Sequence, residues 1–377
     1  MSAHYKNLLR GAKRLPFEKG LMPPIKAISL LAIGCALAGL LGCSNSSHLA
    51  YVTLPTTNQV TGLHVDNDSG QLSSVFGSPF PAGTSPTSVV VHPSNKFVYV
   101  TNQGEADISL FTIDRSAGSL TEVTPRTPAG TNPASLAMDS AGAFLFAANQ
   151  GSNDISVYSI DSGSGALTEV SGSPFATNAG PVALTLSPSG NFLYVANPNL
   201  AVVSGFSVSS GVLQPIPGSP FAVGHVPFAL AIDPAGHFLC AANSQDNTVS
   251  VLAIDSSTGA LTAIPQSPFA AGTNPISALF DPSGKYLYVA NLGSGSISGY
   301  SIDSSTGVLT ELENSPFTAG SGTLFLVMDS SGKLLFAGNQ GAENIMEFKL
   351  DSSTGDLTNT SVSVATGSPP TSMSTTK

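Results

Sequence analysis

Past residue 50 the apolar positions come in short alternating runs cut by Gly, Pro, Asn and Ser, and the order of runs repeats. One unit reads as an apolar run, Pro-Ser-Gly-Lys, Phe-Leu-Tyr-Val-Ala-Asn, a polar loop and a second apolar run ending in Asp. Ser-Ser-Thr-Gly, Leu-Thr and Ser-Pro-Phe complete it. The Asn that closes the Tyr-Val-Ala-Asn segment stands at Asn102, Asn149, Asn197, Asn243, Asn291 and Asn339, at spacings of 47, 48, 46, 48 and 48 residues. Period-two alternation of β-branched and aromatic residues between turn formers predicts strands. In the unit 87–133 it predicts four, near Ser88–Val91, Phe97–Thr101, Ile108–Ile113 and Leu120–Val123.

Four short antiparallel strands in a unit of this length describe a propeller blade. Full units begin near Thr87, Ala134, Val182, Phe228, Ile276 and Thr323. The segment from Leu49 to Pro86 supplies three strands and lacks the first. The tail Thr371–Thr376 supplies it, because Pro370-Thr371-Ser372 matches Pro86-Thr87-Ser88. The expected fold is therefore all-β: a seven-bladed β-propeller of four-stranded antiparallel blades over 49–377. Its ring closes when the C-terminal strand pairs into the first blade, which hides sheet edges that would otherwise recruit other chains. A closed ring of this kind is expected to be monomeric.

Composition changes the picture at the N-terminus. Six of the 13 Lys and Arg lie at Lys6, Arg10, Lys13, Arg14, Lys19 and Lys26, ahead of an apolar run from Ala27 to Leu41. That run suits a signal-peptide core and falls short of the ~20 residues a spanning helix needs. It ends in Leu40-Leu41-Gly42-Cys43, which resembles the bacterial lipobox. Residues 1–42 are thus expected to be a lipoprotein signal peptide, with Cys43 lipidated and 43–48 a short tether of at most ~3.5 Å per residue. The expected location is the bacterial cell envelope, outside the cytoplasm and held to a membrane through Cys43. Cys35 would leave with the signal, so Cys240 stands alone and no internal disulfide forms. Cys240 occupies the strand position of Tyr99, Tyr194 and Tyr288, which makes it a core thiol. Without residues 1–42 the chain has 22 acids against 7 bases, a net charge of −15. Such a body repels nucleic acid.

Most recurrent polar residues read as scaffold. Asp66, Asp114, Asp161, Asp255, Asp303 and Asp351 each end a third strand before a Gly-containing turn, where an Asp bonds backbone N–H groups two residues on. Phe80, Phe175, Phe221, Phe269 and Phe317 of the Ser-Pro-Phe segments are expected between blades, each burial contributing ~1.5–3 kcal/mol. The closing Asn series reads the same way.

Chemistry is then sought in the loops joining second to third strands and one blade to the next, which share a face. That face carries Asn102, Glu105, Asp107, Asn149, Asn153, Asp154, Asp246 and Glu343, and its one His, His225. Lys96, Lys285 and Lys333 fall in turns of the opposite face, so the loop face is expected to lack Lys and Arg. No contiguous Asp-x-Asp-x-Asp loop is present and no cofactor is required, although Ca²⁺ could use such amide and carboxylate oxygens. His225 and Asp154 are the catalytic candidates, and no metal ligand set can be named.

The Phe-Leu-Tyr-Val-Ala-Asn and Asp-Ser-Ser-Thr-Gly-x-Leu repeats resemble those of the seven-bladed propeller lactonase family, which includes 6-phosphogluconolactonase. They are also similar to the Tyr-Val-Thr-Asn repeat surface propellers, whose signature stands at Val98-Tyr99-Val100-Thr101-Asn102. The resemblance implies a lactone hydrolase. However, where that family tends to show Pro-His-x-His this chain has Asn132 and Ala134, Gly180 and Val182, Val226 and Phe228, or Asn274 and Ile276. Asp154 stands where the family's Arg would be. The leading expectation is accordingly a binding or scaffolding module whose amide-rich face takes a protein or small-molecule ligand. The alternative is a hydrolase of uncharged lactones, assisted by Ca²⁺ or not.

Overall fold

The computed structural model describes residues 47–66, 69–177 and 179–377. The expected signal segment and Cys43 lie outside the described residues. The remainder forms seven antiparallel sheets arranged as blades. Blade 1 is built from Ser372–Thr375, Ser47–Leu54, Gln59–Asp66 and Leu72–Ser74, in that order from the axis outward. The C-terminal strand pairs with the first strand at Tyr51↔Ser374 and Val52↔Met373, so the ring is closed as expected. The first strand begins at Ser47, two residues ahead of the expected blade boundary, and pairs from Ser47↔Asp66 onward.

Blades 2 to 7 follow the repeat. Their innermost strands are Pro86–Val91, Pro133–Met138, Ala183–Leu186, Pro227–Ile232, Pro275–Phe280 and Thr323–Met328. These strands neighbour one another in sequence order around the axis, with Ser372–Thr375 completing the circle. The second strands, each ending at the closing Asn, are buried from end to end in blades 2, 4, 5, 6 and 7. The outermost strand differs from expectation in five blades. There it splits into two short pieces around Ser-Pro, such as Leu261–Ala263 and Phe269–Ala270. In blades 2 and 7 it runs unbroken, as Leu120–Pro128 and Leu357–Ala365.

The core is a set of layers between neighbouring blades. Ile155, Val157 and Phe146 of blade 3 meet Leu184, Leu193 and Val195 of blade 4 in one such layer, with Phe175 packed at its edge. Phe80, Phe221, Phe269 and Phe317 join the equivalent layers, as the Ser-Pro-Phe repeat predicts. Tyr residues of the second strand stitch the layers. The hydroxyls of Tyr51, Tyr99, Tyr194 and Tyr288 donate to the carbonyls of Gly118, Gly165, Gly259 and Gly355 in the next blade, at 2.6–2.8 Å. Cys240 holds the same position in blade 5, where full burial pushes its thiol up and leaves it inert.

The third-strand Asp series serves the turns. Asp303 Oδ1 accepts from Ser305 N at 2.9 Å, Ser305 Oγ at 2.6 Å and Thr306 N at 2.9 Å. The Ser305 hydroxyl first, then these backbone donors, hold its carboxyl down to about 2. Asp114, Asp161, Asp255 and Asp351 make the same clasp.

Candidate active site

The closing Asn residues are structural keystones. Asn102 Nδ2 donates to Ser109 Oγ at 2.9 Å and to Asp107 Oδ1 at 2.7 Å, while its Oδ1 accepts from Gly83 N at 3.1 Å. Asn149 donates likewise to Ser156 Oγ and Asp154 Oδ1. Asn102 and Asn149 are fully buried, so they hold the loops and do not present side chains to a ligand. This corrects their placement on the binding face. In blades 5 and 6 the amide sits so close beneath the preceding inter-blade loop that a side chain there would collide with it. A Cβ on Gly272 would lie 2.6 Å from Asn291 Cγ, and one on Gly224 2.6 Å from Asn243 Cγ.

Asp154 is likewise committed. It accepts from Asn149 and, at 3.1 Å, from Ser152 Oγ. Asn153, in the left-handed region at φ 59°, uses its Oδ1 to accept from Gly180 N at 2.7 Å. Glu343 is exposed, with φ 49°.

Glu105 is engaged from two sides. Thr84 Oγ1 donates to its Oε1 at 2.9 Å, and Arg126 pairs with its Oε2. Arg126 Nε also binds Glu122 Oε1 at 2.7 Å, and the Asp107 carboxylate lies 4.0 Å from its Nη1. The Thr84 hydroxyl, with Arg126 adding to it, holds the Glu105 carboxyl below its usual range. The loop face therefore does hold one cation, against expectation. The physical reason is the unbroken outer strand of blade 2. Thr124-Pro125-Arg126 replaces Ser-Pro-Phe there, and its pairing of Pro128 with Asp107 carries Arg126 up to the loop.

One position recurs in pairs 21 residues apart across the two loops of a blade. Thr84 meets Glu105, Thr131 N meets Ser152 Oγ at 3.1 Å, and Thr273 N meets Ser294 Oγ at 3.2 Å. In blade 5 this pair is His225 and Asp246. Asp246 Oδ2 accepts from His225 N at 2.6 Å, and His225 Nδ1 lies 3.0 and 3.1 Å from the two carboxylate oxygens. The His225 main-chain N–H first, then its ring, hold the Asp246 carboxyl below the usual range. The imidazole is 71% exposed, so its Nε2 faces solvent while Nδ1 is fixed. Asp246 fixes the ring orientation and favours the tautomer with hydrogen on Nδ1, leaving Nε2 to accept a proton. Next to it, Asn247 is pinned by Oδ1, which accepts from Asn274 N at 2.8 Å. The sequence named His225 and Asp246 separately. The 21-residue offset, visible once the repeats are set in phase, is the signal that joins them.

Among the described residues no three His, Cys, Asp or Glu gather as a metal site. No helix among them is long and apolar enough to cross a membrane.

A family model described as lactonase, 7-bladed β-propeller, matches residues 42–175, 171–280 and 264–373. Among solved structures the chain is similar to a candidate 6-phosphogluconolactonase of Bacteroides fragilis. The identity is 20%, with 89% of this chain and 99% of that one covered and a TM-score of 0.77. A second candidate 6-phosphogluconolactonase, from Bacteroides uniformis, gives 19% identity, 87% and 99% coverage and a TM-score of 0.76. A periplasmic gluconolactonase of Pseudomonas aeruginosa gives 17%, 88% and 99%, and 0.75. No curated protein matches the chain.

Proposed function

The chain belongs to the seven-bladed β-propeller lactonase family, and we propose that it is a lactone hydrolase whose general base is His225. The observation that carries this reading is the His225–Asp246 pair, the place where a repeated structural contact has become an acid–base dyad on the open loop face. Family membership and the dyad favour hydrolysis over the binding or scaffolding reading. In the proposed reaction a water oxygen attacks the ring carbonyl carbon while His225 Nε2 takes the water proton. The ring C–O bond then breaks, and the imidazolium returns its proton to the leaving alkoxide, giving a hydroxy acid. Asp246 stabilises the transient positive charge on the ring. The Asn247 carboxamide is the donor we assign to the developing oxyanion. Arg126 is excluded from that task because three carboxylates already surround it. An uncharged lactone suits this face better than a phosphorylated one, which would need a free cation.

We further propose that cleavage before Cys43 and its lipidation place the enzyme on a membrane of the cell envelope. The test is acid release by the purified full-length protein across a lactone series, with Ca²⁺ and with chelator. His225→Ala is expected to lower kcat by about 10²–10⁴. Absence of turnover on every lactone, or full activity in His225→Ala, would refute the assignment.

A further inference from the structure

The substrate class can be narrowed from the inner rim of the ring. Each innermost strand opens with a residue that falls out of the pairing ladder beside the closing Asn. Thr87 lies between the pairs Pro86↔Asn102 and Ser88↔Thr101, and Ala134 between Pro133↔Asn149 and Ser135↔Ala148. Phe228, Ile276 and Leu324 occupy the same bulge in blades 5, 6 and 7. Val182 precedes the paired Ala183 in blade 4, and Thr371 precedes Ser372 in blade 1. Two of these side chains show where the position points. Thr371 Oγ1 donates to Pro86 O at 3.3 Å and Thr87 Oγ1 to Pro133 O at 2.9 Å. Each reaches the Pro that opens the next blade, so the seven positions form a collar around the axis at the loop face.

The collar is lopsided. Blades 1 and 2 contribute hydroxyls, while blades 3 to 7 contribute the apolar Ala134, Val182, Phe228, Ile276 and Leu324, of which Ile276 is buried, Ala134, Val182 and Leu324 are half-buried and Phe228 stands open. Phe228, at the middle of this apolar arc, is 41% exposed and follows His225 by three residues. A large aromatic left open beside a candidate base is a contact surface awaiting a partner. Nothing on the arc can hydrogen-bond a polyhydroxylated ring, whose hydroxyls would lose their water partners against it.

Building on the hydrolase reading above, we infer that the substrate is a lactone bearing a hydrocarbon substituent, with the ring at His225 and the substituent lying on the apolar arc centred on Phe228. Phe228 is thus the specificity-determining residue.

The experiment measures kcat/KM of the full-length protein on γ-lactones with methyl, propyl, pentyl and heptyl substituents, and on gluconolactone. Burying each further CH₂ should raise kcat/KM about fourfold until the arc is covered. Phe228→Ala should cut the heptyl-to-methyl ratio at least about tenfold. The side chain's exposure means that its loss leaves no core cavity to confuse the result. A preference for gluconolactone, or a chain-length dependence untouched by Phe228→Ala, would overturn this inference and leave the hydrolase reading standing. Failure on every lactone would overturn both.

Discussion

Glu347 offers a sharp test of how the ring is held shut. It faces blade 1 from the third strand of blade 7 and pairs with Phe336. The equivalent positions in the other blades hold Gly62, Leu110, Val157, Gly205, Val251 and Gly299, none of them charged. Glu347 is fully buried, and neither carboxyl oxygen has a hydrogen-bond partner. The group sits directly over Gly70 in the turn of blade 1, at the seam between blades 7 and 1. Burial raises its pKa from 4.5 to about 7, with the Asp329 carboxylate adding to the effect, while the Thr360 hydroxyl donates to the Glu347 main-chain carbonyl at 3.2 Å and leaves the carboxyl unpaired. Lys349, on the same strand face, is exposed and forms no ion pair with it.

The sign follows from which state holds the proton. Below pH 4.5 the carboxyl is neutral both folded and unfolded and contributes no pH dependence. Between 4.5 and about 7 the unfolded chain ionises first, so stability falls by about 1.4 kcal/mol per pH unit, then levels off. The total loss is about 3 kcal/mol. Glu347→Gln keeps the shape and removes the titration, at a constant cost for its unpaired amide. Urea unfolding of parent and variant from pH 4 to pH 8 should show the variant gaining on the parent by about 3 kcal/mol across that window. A gap that stays constant with pH would refute the account of a buried, unpartnered acid at the seam.

Two further substitutions test the scaffold. Gly272→Ala would force a methyl to 2.6 Å from Asn291 Cγ and 2.7 Å from Ser294 Oγ, costing about 1–3 kcal/mol by the same unfolding measurement. Tyr288→Phe removes the 2.6 Å bond to Gly355 O between blades 6 and 7 and should cost about 1–3 kcal/mol, with amide exchange rising first at Gly355 and its neighbours.

The fold was legible because each blade buries its second strand almost completely, which forces Tyr-Val-Ala-Asn and its variants to recur at fixed spacing. The missing first strand of blade 1 was legible for the same reason, since the tail repeats the Pro-Thr-Ser that opens blade 2. The outer strands were less so. They have one neighbour and pack loosely, so the pattern around Ser-Pro did not show where they break. The expectation of a loop face without Lys or Arg failed on that account, because Arg126 lies in an outer strand that continues to Pro128, where Thr127 and not Arg126 takes the paired place of a Phe. Asn102 and Asn149 read as loop-face residues because sequence gives the position along the strand and not depth. Glu347 was visible all along as an acid in a column of Gly, Val and Leu, yet only the pairing register shows that column.

A repeat of this kind supplies its own control, since any contact demanded by the fold should recur and any contact that does not recur needs another cause. On the loop face the 21-residue pair departs from small hydroxyl residues at two places with charged or titratable groups. At Thr84–Glu105 the departure is answered internally, because Arg126 meets Glu105, Glu122 and Asp107 and its charge is spent holding an altered outer strand. At His225–Asp246 nothing in the fold answers the imidazole. Asp246 could close the loop with a bond to the His225 backbone alone, as Ser152 does for Thr131, so the ring adds nothing the turn requires. Its exposed edge, next to an apolar arc that is also unexplained by packing at Phe228, is where two independent departures from the repeat coincide. That coincidence, more than either residue type, is the ground on which we propose blade 5 as the seat of the chemistry.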